Sequence, residues 1–170
     1  MITIDVLLGL KYKPEYLAEK ISSKRNIEHI ECRYINVLYS LCWLFPFKVY
    51  FELAGNRKYA SYLGGVDELT LSPGTVTMFP ETTELEVEEV NVLPVKLTED
   101  NAREIAWEYS KKWIIRKNRI HHKIPILEDS KSYKIFKPLY LYKFKNKIKN
   151  QFFYKTMDSL TGDLEDVLVN

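Results

Sequence analysis

The sequence predicts an α+β protein built from two repeated helix-plus-antiparallel-strands units, with sheets packed against helices. Two segments with helical spacing of apolar residues are each followed by segments that alternate with a period near two. Aromatic residues favour strands and large buried contacts, and the 170 residues include 12 Tyr, 8 Phe and 3 Trp. The predicted organisation is a first α-β-β-β repeat over 1–75, an acidic connecting segment over 76–96 and a second α-β-β-β repeat over 97–170.

Each predicted helix has a recognisable start. Pro14-Glu15 places a proline and an acidic residue in a first turn, and the helix is predicted to end near Arg25-Asn26. Thr98-Glu99-Asp100 is typical of a helix N-cap. The apolar stripe of this second helix consists of Ala102, Ile105, Ala106, Tyr109 and Trp113.

The remaining pattern of the first half favours strands. An apolar run over 2–8 can pair as a strand, and alternation resumes from Ile27. Pro46 is expected to interrupt the next strand, because proline has no N–H to give to a ladder. A hairpin turn over 54–57 then precedes a return strand over 59–63.

The second half is predicted to repeat this plan. The acidic stretch before it indicates a solvent-facing edge strand or an extended linker, and it carries Glu81, Glu84, Glu86, Glu88 and Glu89. A polar loop is predicted over 117–132, followed by strands from Tyr133. A turn over 146–150 leads to a return strand over 151–157 and a terminal turn over 158–162.

Spacings between the halves support the duplication. Proline to the first tyrosine is 4 residues in both, the first tyrosine to the second is 12 in both, and proline to aspartate is 21 and 20. Asp67 and Asp158 are predicted to cap strand-end turns, while an enzyme that uses them as paired carboxylates stays as an alternative. The recurring residues are Pro46, Tyr50, Tyr62 and Asp67 in the first half, and Pro138, Tyr142, Tyr154 and Asp158 in the second.

The second half, roughly 97–167, resembles the PepSY pattern. The resemblance rests on a helix with Ala102-x-x-Ile105-Ala106 and a hairpin that closes on Tyr154-x-x-x-Asp158-x-x-Thr161-Gly162. The first half is similar through Asp67-Glu68-Leu69-Thr70, which is followed by Leu71 where the family has glycine. The resemblance implies two degenerate copies of a cystatin-type α+β module with a non-catalytic role, namely peptide binding, inhibition or regulation of a partner.

No catalytic residues, cofactor or metal site are predicted. Cys32 and Cys42 lack Cys-x-x-Cys spacing and are expected to be buried thiols. His121-His122 are neighbours whose side chains point apart, so they are interpreted as part of a basic loop surface. The N-terminus shows no basic n-region, and the strongest apolar stretch, 37–47, falls short of the ~20 residues of a membrane span. A cytoplasmic protein without membrane insertion is expected, and its oligomeric state is left open.

Charge is segregated along the chain although the total is only +2. Residues 51–110 carry 4 Lys/Arg against 12 Asp/Glu, a net of −8, whereas residues 111–170 carry 14 against 6, a net of +8. Cations interleave with aromatic residues in the last predicted hairpin. This basic tract is therefore the candidate interaction surface.

Three interpretations of that surface stay open. The first is a binding or regulatory module that engages a protein or peptide partner, by strand addition to an open sheet edge for example. The second is a nucleic-acid-binding accessory protein that uses the hairpin 143–155, because exposed rings stack bases and lysines neutralise phosphates. The third is that the lysines only block edge-to-edge association. The predicted partner-binding residues are Lys143, Lys145, Lys147, Lys149, Phe152 and Tyr154.

Overall fold

The computed structural model describes residues 1–8, 13–24, 29–76, 78–119 and 125–166. His121-His122, interpreted above as part of a basic loop, lie outside these described residues. The two helices are α1 (Pro14–Lys24) and α2 (Glu99–Asn118), and a 3₁₀ turn covers Glu89–Asn91. The strands are β1 (Ile2–Leu7), β2 (Ile30–Leu53), β3 (Asn56–Asp67), β4 (Ser72–Val76), β5 (Thr82–Val87), β6 (Ile126–Ser130), β7 (Tyr133–Asn146), β8 (Gln151–Asp158) and β9 (Leu164–Asp166).

The predicted fold class is wrong. Strands account for 54% of the structure and helices for 23%, and the strands form one mixed nine-stranded sheet instead of two helix-plus-strands repeats. The main strand order is β4-β3-β2-β7-β1-β5, with β6 paired to β2, β8 paired to β7 and β9 paired to β8. The acidic strand β5 ends this order, as expected for a charged edge strand.

Pro46 does not interrupt β2, which runs through it for 24 residues. The Glu68 N–H donates to the Leu41 C=O over 3.0 Å, so Cys42 and Asp67, the cross-strand partners between them, form a non-hydrogen-bonded pair. Pro46 lies four residues after Cys42 and opposite Leu63. The two types of pair alternate along an antiparallel ladder, so Pro46 and Leu63 also form a non-hydrogen-bonded pair. Its missing N–H therefore costs no bond to β3.

The equal spacings do not mark equal structural positions. Pro46 lies in the middle of the β2–β3 ladder, whereas Pro138 lies beyond the last β7–β8 pair, which joins Leu139 and Asp158. The connections also differ, since two residues join β2 to β3 and four join β7 to β8. The spacings in the two halves agree because the longer β2–β3 ladder compensates for its shorter turn.

The strand-end turns are nevertheless alike. The Asp67 carboxylate accepts hydrogen bonds from the backbone N–H groups of Leu69 and Thr70, at 2.8 and 3.4 Å. The Asp158 carboxylate accepts the corresponding bonds from the residues two and three positions later, at 2.8 and 3.3 Å. Both aspartates thus have the turn-capping contacts that the sequence predicts. Leu71 and Gly162 follow in the left-handed region, with φ of 55° and 80°.

The chain divides into two compact units, each assembled from segments distant in sequence. Unit 1 consists of Met1–Tyr39, Thr83–Leu93 and Lys137–Asn170, and unit 2 consists of Ser40–Thr82 and Pro94–Phe136. The division describes packing, and the domain boundaries from the sequence stay a prediction.

Unit 2 has its core between α2 and the second half of β2. Alternate residues of a strand point to one face, and here the odd-numbered ones face the core. They are Leu41, Trp43, Phe45, Phe47, Val49 and Phe51. The rings of Trp43, Phe45 and Phe47 stack, with successive centroids 6.3 and 5.9 Å apart. Burial of each large apolar side chain stabilises the fold by roughly 1.5–3 kcal/mol relative to exposure.

Close approach of α2 to this sheet depends on small residues. Ala102, Ala106 and Ser110 of α2 are fully buried. On β3, a Cβ atom at Gly64 would lie 2.6 Å from Phe47 Cε2 and 2.6 Å from Ser110 Oγ. Real Cβ atoms do not approach that closely, so this position requires glycine.

One carboxylate, Glu68, lies inside unit 2 with only 3% of its surface exposed. It accepts hydrogen bonds from Trp43 Nε1 at 2.8 Å, from Lys96 N at 3.0 Å and from Leu97 N at 3.1 Å. Buried donors need acceptors, and this carboxylate supplies them for β2 and for the segment that leads into α2. Glu68 therefore holds the two segments together.

In unit 1, α1 covers one face of the β7–β8 hairpin. Its start is held by Tyr142, whose fully buried phenol donates to the Pro14 C=O over 3.1 Å. Burial raises the pKa of the Tyr142 phenol well above its ordinary value of 10.0. Near its end, the Ser22 hydroxyl bonds both the N–H and the C=O of Cys32 in β2, at 2.8 and 3.1 Å.

Candidate functional site

The β7–β8 hairpin fixes which of its side chains can form a surface. The strands are antiparallel, with Lys143 opposite Tyr154 and Lys145 opposite Phe152. Residues directly opposite in such a ladder project to the same face, and so do residues two apart on one strand. These four side chains therefore share one face.

The opposite face of the hairpin is packed and anchors the strands. It contributes Tyr140, Tyr142, Phe144 and Met157 to a cluster completed by Cys32 and by Ala18 of α1. The rings of Phe144 and Phe153 stack with centroids 5.0 Å apart. With this face buried, the outer side chains stand on a rigid support.

On the outer face, lysine ammonium groups lie against aromatic rings. Lys143 Nζ lies 4.2 Å from the ring centroid of Phe152 and 5.9 Å from that of Tyr154, and Lys145 Nζ lies 5.5 Å from that of Phe152. Phe152 is 50% exposed and Tyr154 is 42% exposed. Cation–π contact of this kind holds an ammonium in place without neutralising its charge.

Residues at the start of β2 complete the surface. A cavity of about 270 Å³ is lined by Glu31, Arg33, Lys143, Lys145 and Phe152. Arg33 Nη2 lies 2.8 Å from the Glu31 carboxylate, and the Arg33 side chain is 74% exposed. We call Arg33, Lys143, Lys145, Phe152 and Tyr154 together the basic aromatic face.

Glu31 is the carboxylate that borders this face. Its hydrogen bond to Arg33, with the positive charge of that guanidinium, lowers the pKa of the Glu31 carboxyl below its ordinary value of 4.5. Glu31 is thus ionised throughout the neutral range. Among the described residues, no carboxylate forms an ion pair with Lys143 or Lys145.

Of the six residues predicted to bind a partner, four belong to this face: Lys143, Lys145, Phe152 and Tyr154. The other two, Lys147 and Lys149, lie in the β7–β8 turn, which is exposed. The Asn146 side chain accepts from the N–H of Lys149 at 3.0 Å, and Lys147 N–H donates to the His29 C=O at 2.9 Å. Lys147 Nζ lies 3.9 Å from the Glu31 carboxylate, so this turn lysine borders the basic aromatic face through Glu31.

Arg33 was missed by reasoning from the sequence. The alternation in this region places Glu31 and Arg33 on one face of a strand, but only the three-dimensional structure brings that strand beside β7. Lys155 of the basic tract lies elsewhere, since its Nζ pairs with Asp166 at 2.9 Å. Four further cations precede the hairpin in the sequence: Arg116, Lys117 and Arg119 belong to unit 2, and Lys123 lies outside the described residues.

Other kinds of site have little support among the described ranges. There, no group of three or more His, Cys, Asp or Glu side chains is placed to hold a metal ion. Neither described helix has the length and apolar character needed to cross a membrane. Cys32 is a buried thiol and Cys42 is a partly buried thiol.

Comparison with known proteins does not identify the surface. No protein family, no curated protein and no solved structure matches this chain. The resemblance to PepSY domains accordingly stays a prediction.

Proposed function

We propose that this protein is a non-catalytic binding or regulatory module that grips an anionic chain on the basic aromatic face. The observation that carries the proposal is the placement of Arg33, Lys143 and Lys145 around two half-exposed rings, with Glu31 as the bordering carboxylate. Two classes of partner have the required charge. One is an acidic segment of a protein or peptide, and the other is nucleic acid.

The fixed geometry supports a binding role. An ordered side chain loses less conformational freedom when it binds, and each rotamer-rich side chain immobilised on binding costs about 0.5–1.5 kcal/mol. The Lys143 and Lys145 ammonium groups already lie against the Phe152 ring, on a hairpin whose opposite face is buried. Their ammonium groups are thereby preorganised for anions.

The contacts of the two repeated aspartates support the non-catalytic part of the proposal. Asp67 and Asp158 each bind two backbone N–H groups. Asp158 also forms an ion pair of 2.7 Å with Lys137, whose side chain is only 6% exposed. Carboxylates that are hydrogen-bonded in this way have a structural role rather than a role in proton transfer.

The double charge reversal Lys143→Glu with Lys145→Glu tests the proposal. Wild-type protein is expected to bind a heparin column at low salt, and the variant is expected to elute at clearly lower salt, because its charge-neutralising contacts become repulsive. Lys48→Glu with Lys58→Glu is the matched control, since it makes the same change in net charge on exposed positions of unit 2. Equal elution of the two variants would show that overall charge, and not this face, determines retention.

Removal of the acidic neighbour should have the opposite effect. Glu31→Gln is expected to strengthen polyanion binding about threefold, because it removes a repulsive charge and frees the Arg33 guanidinium. The lowered pKa means that the carboxyl is protonated only below its ordinary value of 4.5, so acidification from pH 7 to about 5.5 should not reproduce this gain. Elution salt, measured at both pH values, checks the result. An unchanged or weaker interaction in Glu31→Gln would contradict it.

A further inference from the structure

We infer that the anionic chain held by the basic aromatic face is single-stranded nucleic acid, with Phe152 and Tyr154 stacking on bases while Lys143, Lys145 and Arg33 contact phosphates. This inference rests on the proposed function and specifies its partner. An acidic peptide, which shares only the negative charge, is the competing outcome.

One cation is repeated with one ring along the hairpin. Lys145 lies directly opposite Phe152, and Lys143 directly opposite Tyr154. The two pairs are two residues apart, a step of about 7 Å at roughly 3.4 Å per residue. A nucleotide likewise offers one anion and one planar ring, whereas an acidic side chain offers only an anion.

The two rings of the basic aromatic face are exposed. Phe152 and Tyr154 lie on the face opposite the apolar cluster of unit 1, so they are not needed to fill that core. Half of the Phe152 surface and 42% of the Tyr154 surface are open to a ligand. Aromatic rings on an open sheet face are the platform on which unpaired bases stack.

Edge protection is the simplest explanation of the lysines, and it does not fit their position in the sheet. Lysines commonly protect edge strands from association. Lys143 and Lys145, however, are on β7, which is an interior strand: it lies between β2 and β1 in the sheet order, and its segment with the two lysines also pairs with β8. Protection of an edge therefore does not account for them, and it accounts even less for the exposed rings.

A single strand fits this surface better than a duplex. Bases in a duplex are stacked on one another, so their faces are not available to Phe152 and Tyr154. Contacts to the phosphates of a duplex would use the cations alone. The role of the rings thus separates the two kinds of nucleic acid.

Fluorescence anisotropy with three labelled probes tests the inference. The probes are an oligo-dT of roughly 12 nucleotides, within the ~4–16 nucleotides that single-strand-binding folds cover, a duplex of the same length and a poly-glutamate peptide. Oligo-dT is expected to bind most tightly, with a slope of about −2 in log affinity against log salt for three phosphate contacts. Phe152→Ala with Tyr154→Ala should weaken oligo-dT binding by at least about tenfold and leave poly-glutamate binding within about twofold.

The controls separate recognition from folding. Tyr59→Ala removes a 62% exposed ring from β3 of unit 2 and should leave oligo-dT affinity unchanged. If the double alanine variant melts at a lower temperature, Phe152→Leu with Tyr154→Leu keeps apolar bulk on the strand and still removes the stacking rings.

The possible results are distinct. Oligo-dT binding that is weakened by both the ring and the lysine variants supports the inference. Tighter binding of poly-glutamate, or ring variants that leave oligo-dT affinity intact, overturns the inference and keeps the proposed function. Failure of all three probes to bind, or binding that Lys143→Glu with Lys145→Glu leaves unchanged, overturns both.

Discussion

Replacement of Glu68 by alanine is expected to lower the free energy of unfolding by about 4 kcal/mol, because the N–H groups of Trp43, Lys96 and Leu97 lose their buried acceptor. An unsatisfied buried donor costs roughly 1–3 kcal/mol, and partial entry of water offsets some of the sum. Total stabilities are about 5–15 kcal/mol, so much of the protein's stability depends on this one side chain. Urea unfolding monitored by tryptophan fluorescence gives the difference.

Two further variants make the Glu68 result specific. Glu68→Gln keeps one acceptor oxygen and should lose less than Glu68→Ala, because the amide group satisfies part of the donor set. Glu86→Ala removes a carboxylate from the exposed surface of β5 and should change stability by no more than about 0.5 kcal/mol. A Glu68→Ala protein within 1 kcal/mol of wild type, on the scale of an ordinary hydrogen bond, would show that these donors find other partners.

Gly64→Ala is expected to destabilise the protein by about 3 kcal/mol. The added methyl group would overlap Phe47 Cε2 and Ser110 Oγ, both at 2.6 Å, and overpacking of a tight core commonly costs about 1–3 kcal/mol. Phe47 is fully buried within the aromatic stack, so it has little room to move. Gly74→Ala on β4 is the matched control, because its Cβ would meet nothing within 4 Å.

A double mutant separates the two contacts of Gly64. The buried Ser110 hydroxyl has no hydrogen-bond partner among the described residues, so Ser110→Ala should be tolerated. In the Gly64→Ala background, Ser110→Ala removes the overlap with Ser110 Oγ. The double mutant should therefore recover roughly 1 kcal/mol or more of the lost unfolding free energy, a coupling energy typical of residues in contact. Purely additive effects in denaturant unfolding would contradict the close approach of α2 to β3.

The features that the sequence predicts correctly depend on local chemistry. Thr98 caps α2 by accepting a hydrogen bond from Asn101 N–H at 3.3 Å, and the predicted hairpin turn places Gly55 at a φ of 79°. The aspartate turns form for the same reason, since each needs only residues within three positions. The face shared by Lys143, Lys145, Phe152 and Tyr154 likewise follows from one hairpin with a short connection.

The incorrect predictions concern the pairing of distant segments. Whether Pro46 breaks a strand depends on which side its nitrogen faces, and the register with β3 decides that. The polar loop predicted over 117–132 contains β6, which forms because Ile126 and Leu127 pair with β2 some 80 residues earlier. Arg33 joins the lysines through a contact between remote strands. No local pattern encodes such partners.

Pairing between segments that are distant in the sequence also has a consequence for synthesis on the ribosome. Unit 1 needs its segment from Lys137 onward, and the Tyr142–Pro14 hydrogen bond joins residues 128 positions apart. The aromatic side chains of β2 emerge early and wait for α2, which is translated about 50 residues later. Non-local pairing slows folding and exposes apolar surface in the meantime. A nascent chain of this protein is therefore expected to depend on chaperones until most of its length has been translated.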